Sequence, residues 1–172
     1  MKSALLFLAL FLSLILESTV LSLPGIRAYA PNLILDGVIM VGLLRTPSLA
    51  LAFGFSIGFI EDASYSGFLG ETAFAYALAG YLAGYVRGLV MRESLLLAML
   101  LAGLGEELFN WVTFGAGRLF GSVDWSLHTM LLFSSRTSLT TMLCMILVYP
   151  LYRKAFKLRQ PASYRGDRAG RS

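Results

Sequence analysis

The stretch from Gly54 to Gly84 constrains the fold of this chain more than any other. It consists of two apolar arms joined by a short acidic segment that glycines interrupt. Glycines recur at four-residue steps in both arms, at Gly54 and Gly58 in the first and at Gly80 and Gly84 in the second. Helices with small residues at this spacing can approach each other closely in lipid. The pattern therefore predicts a helical hairpin whose turn lies at a membrane surface.

The rest of the chain is also apolar enough to require lipid around it. Of its 172 residues, 57% are hydrophobic and only 14% are charged. A soluble domain carries about 25% charged residues, and a body this small cannot easily hide so much apolar surface from water. Since a spanning helix needs roughly 20 apolar residues, the length allows about six spans and leaves no room for a separate soluble domain.

Apolar runs separated by polar or glycine-rich breaks predict six membrane helices in a compact all-α bundle. The predicted ranges are 1–21, 32–44, 48–60, 71–90, 94–113 and 127–152. Pro31 suits the first turn of the second helix, where its missing N–H costs nothing. Helices two and three are short for full spans, and a re-entrant pair is the alternative. For the first helix the alternative is a cleaved signal peptide, which Glu17 within its apolar run disfavours.

Basic residues orient the bundle, because cytoplasmic loops of membrane proteins are enriched in Lys and Arg. With six spans, eleven of the fourteen basic residues fall on the side of the N-terminus, and two, Arg27 and Arg118, fall on the other. Seven of the eleven lie in the segment 153–172. We predict a transmembrane domain over 1–152, both termini in the cytoplasm, and a basic, disordered tail over 153–172 that faces anionic lipid. Nucleic-acid binding is not expected, because the tail offers no folded platform.

The side chains that recognisable catalysis needs are absent. The chain has a single histidine, His128, and a single cysteine, Cys144, so it can form neither an internal disulfide nor a cysteine-based metal site. The motifs of metalloproteases, α/β-hydrolases and P-loop proteins do not occur. Ser135 lies about two helical turns from His128 on the same helix, unlike the two-helix dyad of an intramembrane serine protease. We predict no catalytic residues, no metal and no cofactor.

Four charged residues of the predicted helices are candidates for burial in the membrane, where a charge costs about 2.5 kcal/mol or more near the centre. They are Asp36, Glu106, Glu107 and Arg136. Charges at such positions usually face inward and pair. We expect Arg136 to form an ion pair with Glu106 or Glu107, and Asn110 shares a helix face with Glu106. The pair would fix helix register, and the alternative is a proton or substrate site of a transporter.

The acidic segment between the two arms carries Glu61 and Asp62, and Glu71 follows it. A glutamate at a helix start is favoured by the helix macrodipole. Three carboxylates without a histidine are a weak signal for a metal. We expect a polar turn at the outer face, with a partner-binding surface as the alternative. The two glycine pairs are not expected to meet each other fully, so one pair could be free for another helix.

In their order and spacing these motifs resemble the MreD family, which are small six-span bacterial membrane proteins that determine rod shape. The resemblance is carried by P-N-L-I-L at 31–35, G-F-S-I-G-F-I-E-D at 54–62, L-G at 69–70 and G-Y-L-A-G at 80–84. Asp62 takes the position of the family's aspartate after the paired glycines. The motif positions, and candidates for partner contact, are Pro31, Gly54, Gly58, Asp62, Gly70, Gly80 and Gly84.

The resemblance implies a non-enzymatic scaffold of the bacterial cell-elongation complex in the inner membrane. Family members pair with MreC, a single-span protein, and act alongside MreB filaments, the glycosyltransferase RodA and a class B penicillin-binding protein in lateral peptidoglycan synthesis. The resemblance also implies a fold similar to the S components of energy-coupling-factor transporters. Since fold does not decide function, the alternative is a substrate-binding S component of a vitamin or metal importer. The glycine faces also allow a homo-oligomer.

Overall fold

The computed structural model describes residues 2–21, 23, 29–65, 69–90, 94–121 and 126–156. Across these ranges the chain forms α1 (Lys2–Leu16), α2 (Leu33–Leu44), α3 (Pro47–Tyr65), α4 (Glu71–Val90), α5 (Leu95–Leu119) and α6 (Leu127–Phe156). A π-helical turn, Glu17–Leu21, directly follows α1. The predicted all-α fold with six helices is confirmed for this part of the chain.

Several helix ends differ from the sequence prediction. Pro31 precedes α2 rather than opening it, because Asn32 is the N-cap and its side chain accepts a hydrogen bond from the Leu35 N–H at 2.8 Å. α3 continues to Tyr65, so Glu61 lies within a helix and not in a turn.

The C-terminal half also contains longer helices than expected. α5 runs through two glycines to Leu119, six residues past its predicted end. α6 runs to Phe156, so the first four residues of the predicted tail are helical. The tail from 157 onward lies outside the described residues, as do the basic residues Arg27 and Arg92.

α2 occupies the centre of the bundle. All residues from Ile34 to Leu44 are buried, which is the pattern of a helix surrounded on every side. It contacts each of the other five helices. Its 12 residues span about 18 Å, whereas the hydrocarbon core of a bilayer is about 30 Å thick. α2 alone is therefore too short for a full span of ordinary length.

Three helices are long and apolar enough to cross a membrane, namely α4, α5 and α6 as far as Ala155. Two further apolar helices, Ala4–Thr19 and Leu33–Leu44, are shorter. The outward faces carry large apolar side chains, such as Leu8 of α1, Phe55 of α3 and Leu104 of α5. This surface suits lipid, since lipid and not water can solvate it. Six full spans and the cytoplasmic position of both termini stay predictions.

Candidate functional site

The first glycine pair of the family motif lies inside the bundle, where α3 crosses α4. A Cβ atom added to Gly58 would stand 2.5 Å from the Ala73 Cα atom, and one added to Gly54 would stand 2.7 Å from the Tyr76 carbonyl oxygen. These are backbone atoms, which cannot move aside as a flexible side chain can. The glycines are therefore the reason that α3 and α4 make the most extensive helix contact of the fold.

The second glycine pair lies on α4 and contacts both α2 and α3, because Gly80 also faces the Ala50 carbonyl of α3. Gly80 faces the Val38 side chain of α2, and Gly84 faces the backbone of Pro47 at the start of α3. The two pairs do not meet each other, as the sequence predicted. Both pairs are buried against the chain's own helices, and Gly80 meets α2, which agrees with the expectation that one pair is available to another helix. Both pairs are used to assemble α2, α3 and α4.

Asp62 is a buried cap for the start of α4. It is 1% exposed, and its carboxylate accepts hydrogen bonds from the N–H groups of Gly70 at 2.9 Å, Thr72 at 3.2 Å and Ala73 at 3.1 Å. The Thr72 hydroxyl donates to the same carboxylate at 2.6 Å. The first N–H groups of a helix have no partner within it. Asp62 satisfies them from the end of α3.

Gly70 completes this turn through its backbone conformation. Its φ is +104°, which is in the region that glycine adopts without steric cost. This conformation directs its N–H toward Asp62. The Asp62 side chain is enclosed by the two helices that it joins, and a partner-binding surface at this turn stays a prediction.

A second group of polar residues, the polar seam, joins α5 to α6 in the bundle interior. Its centre is Asn110, whose side-chain nitrogen lies 3.3 Å from Glu106 Oε1, 3.4 Å from Ser134 Oγ and 3.1 Å from Thr137 Oγ1. The Ser134 hydroxyl donates to Glu107 Oε2 at 2.5 Å. Side-chain hydrogen bonds between membrane helices contribute about 0.6 kcal/mol each on average, and up to 2.

The polar seam continues along α6 beyond Thr137. Toward the C-terminus, the Ser138 hydroxyl donates to the Gly103 carbonyl oxygen at 3.0 Å. Toward the centre of the bundle, the Asn32 N–H donates to Thr141 Oγ1 at 3.1 Å. The seam therefore connects α6 both to α5 and to the start of α2.

Asn32 also links this seam to α4. Its Oδ1 atom accepts a hydrogen bond from the Tyr76 hydroxyl at 3.3 Å. The Tyr76 ring is 1% exposed and stacks on Phe109 of α5, with the ring centroids 4.8 Å apart and the planes inclined by 20°. One asparagine at the N-cap of α2 thus helps to fix the positions of α4, α5 and α6.

Arg136 is not part of the polar seam. It lies on the exposed face of α6, and its guanidinium lies 5.7 Å from the centre of the Tyr29 ring. The expected ion pair with Glu106 or Glu107 is therefore wrong. Successive helix residues are rotated by about 100°, so the position that turns Ser134 toward α5 turns Arg136 away from it.

Three acidic residues have buried oxygen atoms without hydrogen-bond partners. Both carboxylate oxygens of Asp36 are unpartnered, as are Oε2 of Glu61 and Oε2 of Glu106. Asp36 is 0% exposed at the centre of the bundle and forms no ion pair with any described basic residue, so its expected pairing is also wrong. Among the described residues, no group of three His, Cys, Asp or Glu side chains could hold a metal ion.

The sequence prediction missed the residues that connect the seam to the other helices, Asn32, Tyr76, Thr137 and Thr141. A signal for α6 was present in the hydroxyl residues at 134, 137, 138 and 141. That spacing of three and four places them on one helix face. No equivalent pattern marked Tyr76, which stands among other aromatic residues of α4.

A cavity of about 290 Å³ lies beside the polar seam, between α4, α5 and α6. Its polar lining comprises Glu71 and Thr72 at the start of α4 and Asn110 and Thr113 of α5. The remaining lining residues are aromatic or apolar, namely Phe109, Phe114, Met130 and Phe133. This volume is close to the lower end of the range for small-molecule sites, which are likewise lined mainly by apolar side chains.

Together these features define a helical membrane protein whose polar and glycine residues are used mainly to pack its own helices. The chain belongs to the MreD family, because the family model described as "rod shape-determining protein MreD" matches residues 1–159. This match extends the resemblance from the hairpin region to nearly the whole chain. MreD proteins are membrane proteins with a role in rod shape determination and are not a known enzyme family. Neither the search of curated proteins nor the search of solved structures returned a match.

Proposed function

We propose that the protein is a non-enzymatic scaffold of the cell-elongation complex in the bacterial inner membrane. Its family membership over residues 1–159 carries this proposal. In this role it binds an MreC-like single-span protein and helps to organise lateral peptidoglycan synthesis with MreB, RodA and a class B penicillin-binding protein. The interior supports a scaffold, since its polar side chains largely bond to one another and join helices.

The outward face of α6 is the surface that best suits a single membrane-spanning partner helix. Leu139, Leu143, Leu147 and Leu151 follow one another at four-residue steps and are between 61% and 74% exposed. We call this row the leucine ridge. Side chains four residues apart form a continuous ridge on a helix, and such ridges pack into the grooves of a neighbouring helix.

Arg136 lies near the N-terminal end of the leucine ridge, three residues before Leu139. An arginine on the outer face of a membrane helix is unfavourable unless a polar group compensates it. Within the described chain its neighbour is the Tyr29 ring and not an acid. A polar or acidic group of the partner supplies the missing interaction in this proposal.

The test is to purify tagged protein from its host in mild detergent and to identify the proteins that accompany it. The variants are Arg136→Glu and Leu143→Ala, and the matched control is Leu104→Ala, whose exposed leucine lies on α5. We expect an MreC-like protein with the wild type and the control, and much less of it with both α6 variants. Equal recovery with all four proteins would exclude the α6 face, and recovery without any cell-wall protein would exclude the scaffold.

The cavity beside the polar seam supports a second candidate, the substrate-binding subunit of an importer. Its volume of about 290 Å³ is close to the lower end of small-molecule sites. An importer subunit would co-purify with ATPase subunits instead of cell-wall proteins. The same purification therefore separates the two functions.

The proposed orientation places the corner between α2 and α3, the end of α4 and the basic tail in the cytoplasm. The excess of Lys and Arg on that side supports it. Reporter fusions at the C-terminus test it, because alkaline phosphatase is active only outside the cytoplasm and green fluorescent protein fluoresces when it folds inside. Phosphatase activity at the C-terminus would contradict the orientation.

A further inference from the structure

A cavity of about 440 Å³ lies at the corner where α2 passes into α3, against the last turns of α4. Its lining includes two arginines, Arg45 and Arg87, and no acidic residue among those that the structure describes. We propose that this cavity binds a phosphate group, carried by the headgroup of an anionic phospholipid. The proposal concerns a lipid site and does not depend on the scaffold function.

Arg45 supplies the most direct sign of a missing ligand. Its Nε and Nη2 atoms are buried and have no hydrogen-bond partner. Burying a donor without an acceptor is unfavourable, and more so for a charged group. Guanidinium groups bind phosphate through paired N–H donors. Because Arg45 lines the cavity, a rotation of its enclosed guanidinium would bring these donors to a phosphate there, which supplies the acceptors that the described residues do not provide.

Arg87 places a second cation at the same cavity. Its Nη1 atom donates to the Arg45 carbonyl oxygen at 2.7 Å, which holds its guanidinium against the corner between α2 and α3. This hydrogen bond is made to the backbone of Arg45 and does not involve the Arg45 side chain. Two arginines beside one cavity make a positive site with a fixed geometry.

The start of α3 adds to this positive potential. The Thr46 carbonyl accepts hydrogen bonds from the N–H groups of Leu49 and Ala50, both at 3.1 Å, and Thr46 and Pro47 line the cavity. The N-terminal end of a helix carries a partial positive charge and favours anions. Since Pro47 has no N–H and those of Leu49 and Ala50 are already bonded, the helix start adds only its dipole to the charge of the two arginines.

The surroundings favour a lipid as the carrier of the phosphate. Tyr85 and Leu89 line the cavity and are 55% and 67% exposed, on the outer side of α4. An acyl chain can follow that apolar face while the headgroup occupies the cavity. The corner also lies on the proposed cytoplasmic side, and the cytoplasmic leaflet carries anionic lipid.

The experiment uses the full chain purified in a neutral detergent, with three probes added separately. They are phosphatidylglycerol, which is anionic, phosphatidylcholine, which has no net charge, and inorganic phosphate. Bound lipid is counted by native mass spectrometry, and thermal unfolding is followed in parallel. We expect phosphatidylglycerol to raise Tm by about 3 °C or more at saturation, and phosphatidylcholine to have little effect.

Three variants test whether this cavity is responsible. Arg45→Gln removes the unpartnered guanidinium but keeps the carbonyl that Arg87 uses. Arg153→Gln is the charge-matched control on the same proposed side of the membrane. Gly88→Leu leaves the charge unchanged and adds a side chain where a Cβ atom meets nothing within 4 Å. We expect Arg45→Gln and Gly88→Leu to weaken phosphatidylglycerol binding by about tenfold or more, and Arg153→Gln to bind as the wild type does.

Each outcome decides the proposal. If inorganic phosphate gives the same stabilisation and competes with the lipid, the phosphate site stands and its source is free phosphate. If Arg45→Gln binds lipid as tightly as the wild type, or if Arg153→Gln loses as much as Arg45→Gln does, the proposal is overturned. Should Arg45→Gln fail to fold, Gly88→Leu decides, and an unchanged lipid-induced shift in that variant overturns the proposal.

Discussion

The α3–α4 and α5–α6 hairpins both carry acidic and small residues at their contacts, but they use them in opposite ways. In the first, Asp62 accepts hydrogen bonds from backbone N–H groups, and glycines contact backbone atoms. In the second, the Ser134 hydroxyl of α6 donates to Glu107, and the Asn110 side chain donates to Thr137 of α6. The first contact is made with the backbone and the second mainly with side chains.

The difference shows why one hairpin carries a recognisable motif. A backbone atom occupies a fixed place, so only glycine fits opposite it and only a short acceptor reaches the N–H groups. Side chains can adjust to one another, and several combinations of polar residues can join two helices. We therefore expect substitutions in the α3–α4 hairpin to have larger effects than those in the α5–α6 hairpin.

Gly58→Ala should have the largest effect on stability. The added methyl group would lie 2.5 Å from the Ala73 Cα atom, so α3 and α4 must separate, at a cost of about 2 kcal/mol or more. Thermal unfolding of purified protein in detergent measures the loss. The matched control is Gly115→Ala in α5, where a Cβ atom meets nothing within 4 Å, and which should gain about 0.5–1 kcal/mol. Equal stability of the two variants would contradict the packing described here.

Asp62→Ala should have the next largest effect, about 2 kcal/mol. It leaves the N–H groups of Gly70, Thr72 and Ala73 without their shared acceptor. Asp62→Asn keeps one side-chain oxygen and should recover part of the loss. Tm and the yield of folded protein are the measurements. If a variant kept a normal Tm but no longer bound its partner, Asp62 would have the partner-binding role that the sequence suggested.

Asn110→Ala should cost less, about 1 kcal/mol. It removes the central donor of the polar seam, but Ser134 still donates to Glu107 and Ser138 still donates to Gly103. Unfolding in detergent again measures the change, with Thr113→Ala in the same helix as the control. A loss as large as that of Asp62→Ala would mean that the two hairpins do not differ in the way described.

Arg136→Ala should have the smallest effect on stability, less than about 1 kcal/mol, because its contact with the Tyr29 ring is an exposed cation–π interaction. The sequence predicted the opposite, since an ion pair with α5 would make this residue essential for folding. Thermal unfolding and partner recovery should be measured on the same preparation. A large fall in Tm would show that Arg136 supports the bundle itself.

The sequence predicted the helices well where apolar runs end at clear breaks. α4 begins and ends where predicted, at Glu71 and Val90, and α6 begins at Leu127 as expected. It failed where glycines stand inside a helix, because Gly115 and Gly117 favour a loop by residue type, whereas α5 continues through both to Leu119. The inference that this glycine spacing marks a close approach between helices was sound. The spacing alone does not identify which helix approaches.

The candidate site was less predictable, because charge pairing depends on helix rotation. Arg136 and Glu106 are of opposite sign and near the same depth in the predicted hairpin, which favoured a pair, but the two side chains project in different directions. Asp62 was recognised through the family motif, yet its role as a cap depends on the path of the chain at Gly70. The absence of the Arg136 ion pair and the capping role of Asp62 both depend on three-dimensional geometry, which residue types alone do not determine.

Photo-crosslinking in the host is the most direct test of the claim that the motif hairpin packs the bundle while α6 binds the partner. A benzoylphenylalanine is placed at Leu143 on the leucine ridge or at Phe55 on the outer face of α3, both of which are exposed. The account predicts a crosslink to an MreC-like protein from position 143 and none from position 55. A crosslink from position 55 without one from position 143 would contradict it.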